Sequence, residues 1–477
     1  MKHWTIHALC CLLVLSLLPL PAGAADKPNI VHIVSDDLGW KDVGFNGCTD
    51  IKTPNLDALA AGGAKLTQFY VQPMCTPTRA ALMTGRYPFR YGLQTAVIPS
   101  VSTYGLAEDE WLLPQCLKEA GYTTAIIGKW HLGHADKKYW PKQRGFDVQY
   151  GAMIGELDYF THKEHDVLDW YEDNKPLNEE GYTTQLIGRR AVKLIEDQDP
   201  SKPLYLYLTF NAPHTPYQAP QEYIDRYKSI EDPTRRTYAG MVSCLDDEIG
   251  KVVAALDKKG IRNNTLILFH SDNGGTRNAM FAGVMADMSK VKIPCDNGPY
   301  REGKGTLYEG ATRVCALANW PGHIKPGSVD GLMHAVDLYP TLATLAGASM
   351  EKCKQPVDGV NVWDVISEGK SSPRSEIVYN IEPFRAAVRQ GEWKLIWRTL
   401  LPSSMELYNI AQDPSEKTNV AAEHPEIVTR LQARIEELAK TSAKALFLVD
   451  RLGVAQKSMN GKPVLPDEDA FYEGDEP

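Results

Sequence analysis

Four short apolar runs, each closed at its C-terminal end by polar residues, constrain this chain more than any other feature. Asn29-Ile30-Val31-His32-Ile33-Val34-Ser35 is rich in β-branched residues, reads as a buried strand, and runs into Asp36-Asp37. Residues 123–127 run into Gly128-Lys129-Trp130-His131, residues 204–210 into Asn211-Ala212-Pro213-His214, and residues 265–270 towards Asp272-Asn273-Gly274-Gly275. Helical spacing falls between these runs, over residues 111–120, 183–197 and 234–258. Further helices are expected over residues 54–61, with Thr53 as cap, and over 79–84, entered through Pro77. Strands that alternate with helices give an α/β fold, and in open α/β sheets ligands collect at the carboxyl ends of the strands. One sheet edge would then gather Asp, Lys, His and Asn. Carboxylates at the end of a buried strand are costly unless something positive meets them.

Beyond a helix expected over residues 335–346 the texture changes. Residues 371–373 read as a linker, and alternating runs at 376–381, 386–398 and 406–410 read as a small antiparallel sheet. A charged amphipathic helix over 425–440 would pack on it. The expected organisation is a signal peptide over 1–24, a catalytic domain over 25–370, and a C-terminal α+β subdomain with an acidic tail over 371–477. A chain of 477 residues suits one large domain plus a smaller one.

The leader reading rests on Lys2 and His3 before the apolar run 8–20, with Ala22-Gly23-Ala24 as a cleavage site. That run is short for a membrane span, and no other stretch is long enough, so a non-cytosolic protein without a stable membrane span is expected. A formal net charge of −9 argues against a nucleic-acid partner, because polyphosphate affinity comes from basic surface. Once Cys10 and Cys11 leave with the leader, Cys48, Cys75, Cys116, Cys244, Cys295, Cys315 and Cys353 remain. An odd number leaves one outside any full pairing scheme; if Cys75 is chemically consumed, the other six are open to pairing or to burial as thiols.

The sharpest local feature is Cys75-Thr76-Pro77-Thr78-Arg79, continuing to Thr84-Gly85-Arg86. Alone, a cysteine ahead of a helix reads as a nucleophilic thiol or a packed core residue. Asp36-Asp37 and Asp272-Asn273 alone read as turns, and His131 or His214 alone as a structural histidine. Together they differ: Asp36, Asp37, Asp272 and Asn273 are hard oxygen donors of the kind that hold calcium or magnesium. A soft thiolate matches such a set poorly, and an oxygen at position 75 would remove the mismatch.

The Cys-x-Pro-x-Arg run with its trailing Thr-Gly-Arg resembles the maturation signature of the type I sulfatases. The resemblance runs from Pro28 to about Pro414. It includes Ser35-Asp36-Asp37-Leu38-Gly39-Trp40, Gly128-Lys129-Trp130-His131-Leu132-Gly133, Ala212-Pro213-His214, Ser271-Asp272-Asn273-Gly274, and Gly303-Lys304-Gly305 with Glu309-Gly310. The spacing around Gln72-Pro73-Met74 and residues 87–94 most resembles the arylsulfatase B, or N-acetylgalactosamine-4-sulfatase, branch. Ala311 departs from it, standing where a second glycine is usual.

The resemblance implies an alkaline-phosphatase-like fold, with a large mixed sheet flanked by helices and a smaller C-terminal antiparallel sheet with a helix. It implies conversion of Cys75 to formylglycine (3-oxoalanine) by a formylglycine-generating enzyme, and one Ca2+ held by Asp36, Asp37, Asp272, Asn273 and residue 75. The hydrate of residue 75 would attack sulfur, and Arg79 would hold it. Lys129 and Lys304 would grip the sulfate oxygens. His214 would give a proton to the leaving oxygen, and His131 would act as the base that expels sulfate. The implied activity is sulfate-ester hydrolysis on a sulfated N-acetylhexosamine, another sulfated polysaccharide residue or an aryl sulfate. The competing readings are a phosphodiesterase or phosphonate hydrolase of the same superfamily, and a non-catalytic binder of sulfated glycans. The expected location is secreted or periplasmic, or a lysosome-like compartment in a eukaryote. Specificity is expected in the loops 95–110, 134–170 and 276–300.

Overall fold

The computed structural model describes residues 27–164, 166–277 and 293–459. The expected leader, the acidic tail and part of the 276–300 loop lie outside them. The four apolar runs form the centre of a ten-stranded sheet. We label them β1 (Asn29–Ser35), β2 (Thr123–Gly128), β3 (Leu204–Thr209) and β4 (Thr265–Ser271). The order across the centre is β4-β1-β3-β2, all parallel. Beyond β4 the strand Ala316–Asn319 pairs antiparallel, which makes the sheet mixed, as expected.

Alternation along each strand explains the two layers. Val31, Ile33, Leu206, Leu208, Ile267 and Phe269 join a core with the helices Thr183–Asp197 and Pro233–Lys259. Ile30, Val34, Tyr205, Tyr207, Leu266 and Leu268 join the opposite core, beside the helices Cys75–Thr84, Leu113–Glu119 and Leu338–Leu345. A parallel sheet buried on both faces needs apolar side chains in both directions, which is why the strands read as near-continuous apolar runs.

Three sequence expectations shift. The helix expected from residue 79 begins at Cys75, four residues earlier. Pro77 sits in its first turn, where backbone N–H groups have no intrahelical partner and a proline forfeits nothing. Thr53 precedes the helix Pro54–Ala61 without capping it; its hydroxyl donates to Asp57 at 3.1 Å and accepts from the Gly44 amide at 2.8 Å. The run 386–398 is two strands, Arg385–Gln390 and Trp393–Arg398, reversed at Gly391, whose φ of 57° suits a tight hairpin. With Glu376–Ile381 and Ser404–Asn409 these form the small antiparallel sheet, and the helix Pro425–Ala439 packs on it. All seven cysteines of the described residues are free thiols. No helix of the described residues is long and apolar enough to cross a membrane.

Two histidines of the central strands meet through Nε2 at 2.8 Å, His32 and His270, both buried. The Ser271 carbonyl accepts from His270 Nδ1 at 2.8 Å, so a neutral His270 offers Nε2 as acceptor and His32 is the donor. Burial lowers both, His270 to about 4 from an ordinary 6.5. Below pH 6.5 the unfolded chain therefore binds a proton that the folded chain refuses, and stability falls with pH. His270 alone is expected to remove about 3 kcal/mol between pH 6.5 and 4. Denaturant unfolding across that range checks this: His270→Asn should flatten the fall, and identical slopes would contradict it.

Candidate active site

The carboxyl ends of β1, β2, β3 and β4 converge on Cys75. Asp37 has φ of 60°, in the left-handed region that Asp tolerates better than most residues. That turn breaks the strand's alternation, so the consecutive Asp36 and Asp37 both reach the same crevice. One donor atom from each of Asp36, Asp37, Cys75 and His214 lies within 4.8 Å of the others, and all four residues are buried.

Ion pairs surround the thiol. Cys75 Sγ donates to Asp36 Oδ1 at 3.3 Å, while Asp36 Oδ2 accepts from Lys129 Nζ at 2.6 Å. Arg79 donates through Nη2 and Nε to Asp272 Oδ2 at 2.8 and 3.1 Å, and through Nη1 to the Lys129 carbonyl at 3.0 Å. Lys304 Nζ meets the Asp37 carboxylate at 2.9 Å, and His214 Nε2 faces the same carboxylate at 3.6 Å. Asn273 Nδ2 donates to Asp37 Oδ1 at 2.7 Å, yet Asn273 Oδ1 is buried with no partner. Three carboxylates thus oppose three fixed cations, and the pit is close to electrically balanced.

The charges set the protonation states. Burial alone would raise Asp36, but Lys129, His214, Arg79 and Lys304 hold it well below the carboxylate range. Burial and then the Asp36 charge push Asp272 up. Burial, Asp272 and Asp36 push the Cys75 thiol well above its ordinary value, so the unmodified residue is a thiol and not a thiolate. Burial opposes the charges of Lys129 and Lys304, but the neighbouring carboxylates outweigh it and keep both protonated.

The histidines differ in what they offer. His131 Nε2 lies 3.2 Å from the Ile98 carbonyl, which only accepts, so Nε2 carries the hydrogen and Nδ1 is the lone-pair nitrogen. Nδ1 is buried without a partner, and burial, Lys129 and Arg79 keep the ring neutral. His214 Nδ1 donates to the Thr215 carbonyl at 2.6 Å, which leaves Nε2 as the nitrogen facing the crevice.

Several supporting residues carry no local signal in the sequence. Asp169 accepts the amides of Met153, Ile154 and Gly155 at 2.9–3.0 Å, and so fixes a loop against the Lys129 side chain. A Cβ on Gly155 would stand 2.4 Å from Lys129 Cδ, so only glycine fits. Tyr159 is buried, and its hydroxyl donates to the His214 carbonyl at 2.8 Å. No spacing rule marks these residues; only the sheet order makes them neighbours. Ala311, the departure from the branch that the spacing near Gln72 resembles, is buried beside Gly274, which donates to its carbonyl at 2.8 Å.

The profile of the family described as Sulfatase matches residues 28–348. This chain belongs to the sulfatase family. A second profile, N-sulphoglucosamine sulphohydrolase, C-terminal, matches residues 302–441. Arylsulfatase J of Mus musculus is 36% identical over 484 residues, covering 89% of this chain and 78% of its own length. N-acetylgalactosamine-6-sulfatase of Mus musculus is 35% identical over 406 residues, covering 80% and 74%. The crystal structure of Ps i-CgsB in complex with k-i-k-neocarrahexaose superposes with a TM-score of 0.80 at 34% identity, covering 94% of this chain and all of that one. These relatives establish a sulfatase, a hydrolase of sulfuric esters, without placing it in the arylsulfatase B branch that the spacing near Gln72 resembles.

Proposed function

We propose that this sulfatase removes sulfate from a sugar of a sulfated polysaccharide, with Cys75 converted to formylglycine and one calcium ion bound beside it. The observation that carries the reading is the set of buried carboxylates and cations closed around a thiol that stays protonated. Asp36, Asp37, Asp272 and Asn273 would hold the cation. The residues fit, because the donors are hard oxygens and Asn273 Oδ1 is buried with nothing to bond. The hydrated aldehyde supplies a nucleophilic oxygen and a hard ligand, and calcium offsets the carboxylates facing an anionic ester.

Lys129 and Lys304 bind the sulfate oxygens in a buried site where their charges are poorly screened. Arg79 fixes Asp272 and retains guanidinium hydrogens for residue 75. His131 Nδ1 takes the proton from residue 75, and His214, protonated on both ring nitrogens, gives one from Nε2 to the departing oxygen. The names of the relatives, an N-acetylgalactosamine sulfatase and a protein bound to a neocarrahexaose, support a sugar substrate. Export through the leader over residues 1–24 belongs to the same reading.

Peptide mass spectrometry across Cys75, on protein made with a formylglycine-generating enzyme, tests it alongside aryl-sulfate turnover with and without calcium. An aldehyde with calcium-dependent turnover supports the proposal. An unmodified thiol sinks it, and turnover of phosphodiesters alone promotes the phosphodiesterase reading. Calcium at 100 times its Kd is expected to add about 2.7 kcal/mol of stability. A thermal midpoint that calcium leaves unmoved would remove it from the site.

A further inference from the structure

The segment that carries Lys304 is gripped by every strand of the small C-terminal sheet. From the first strand, Tyr379 donates its hydroxyl to Glu309 Oε1 at 2.6 Å. From the second, Arg385 Nη1 donates to the Gly305 carbonyl at 2.7 Å. From the third, Lys394 Nζ donates to Glu309 Oε1 at 3.0 Å. On the fourth, Glu406 accepts from Tyr308 at 2.8 Å and Tyr408 accepts from Arg301 Nη1 at 3.1 Å. Just past the sheet, Glu416 Oε1 lies 2.8 Å from Lys394 Nζ, and Oε2 accepts the Glu309 amide at 2.7 Å. Glu309, Lys394 and Glu416 are all fully buried.

The opposite side of the segment meets the catalytic pit. Gly274, next to Asn273, would place a Cβ 1.8 Å from the Gly310 carbonyl, so the two backbones are in direct contact. The Gly305 amide donates to the Pro73 carbonyl at 2.8 Å, two residues before Cys75. Lys304 thus sits between a platform and the pit. A plain fastening between two layers would be served as well by apolar packing, since burying one ammonium with two carboxylates carries a large desolvation penalty. What the ionic network adds is a fixed position.

We propose that the C-terminal sheet is a positioning platform for Lys304, and that Lys394, through Glu309 and Glu416, is its keystone. The inference rests on the reading that Lys304 binds sulfate. Lys394 touches no substrate atom; it is a positioning residue.

The test is a double-mutant cycle on the full, matured chain. Lys394→Met with Glu416→Gln, which removes one charge of each sign, is expected to lower kcat/KM for an aryl sulfate at least about tenfold. In a Lys304→Ala background the same pair should change it less than about twofold, because the residue it acts through is gone. Lys394→Arg, which keeps the charge, should recover most of the loss. An equal fold-loss in both backgrounds overturns the proposal and leaves a stability role. If the paired variant does not fold, Arg385→Met, at a half-buried site, is put through the same cycle. Hydrogen exchange over residues 301–311 needs no substrate: faster exchange there in the variant supports the platform, and unchanged exchange overturns it. That readout still decides if the parent chain turns over no sulfate ester, an outcome that would defeat the sugar-sulfatase reading instead.

Discussion

Replacing Cys75 with alanine is expected to lower aryl-sulfate turnover by at least about 10^4-fold while costing about 1 kcal/mol or less of stability. The side chain is 1% exposed, and its one hydrogen bond is a weak donation to Asp36 at 3.3 Å. Because the thiol is held protonated, its removal takes away no charge, and the ion pairs of Arg79, Lys129 and Lys304 do not depend on it. The lysines, histidines and carboxylates would remain folded around a position with no nucleophile. Retention of turnover within tenfold of the parent would require another nucleophile and would end the role given to residue 75.

Arg79→Met is the substitution expected to harm stability most. Arg79 is fully buried between Asp272 at 2.8 Å and Asp36 at 3.6 Å, and Met replaces its apolar stem without its charge. Asp272 would lose the two hydrogen bonds that it accepts from Arg79 and face Asp36 with no cation of its own. Removing one partner of a buried ion pair costs about 3–5 kcal/mol, far more than an exposed pair is worth. Chemical denaturation should show that loss, with turnover falling alongside it. A companion Asp272→Asn change should restore part of the stability and none of the turnover. A loss below about 1 kcal/mol would show that solvent reaches the pair and screens it.

Much of this architecture is legible in residue order because local and global signals agree. The central strands are apolar on both faces since helices cover both faces, and a strand of that kind announces itself without reference to its neighbours. The residues beyond the strand ends are legible for a related reason: Asp36, Lys129, His214 and Asp272 lie where a buried strand must give way to something polar. What was hidden depends on pairing between distant segments. Gly391 lies within an alternating run, and the period of two continues on either side of the hairpin, so the reversal left only one glycine as its mark. The start of the helix at Cys75 was hidden by Pro77, which reads as an entrance although it fits a first turn equally well. Asp169 and Gly155 reach Lys129 because the strand Val148–Gly151 pairs with β2, and Tyr159 reaches His214 beyond the end of β3, facts about sheet order that no local window contains.

The burial of the whole Cys75–Thr84 helix has a consequence for timing. All ten of its residues are buried, so no catalyst could grip residues 75–79 once the fold has closed. Closure cannot come early, because β1 pairs with β3 and β4, and the pit is completed by Lys304, about 230 residues after Cys75. At 5–20 residues per second, a ribosome needs roughly 10–45 s to make that stretch. The same topology that hides residue 75 in the finished protein leaves it accessible on the nascent chain, and the conversion proposed for Cys75 is expected to take place there, before the sheet shuts over it.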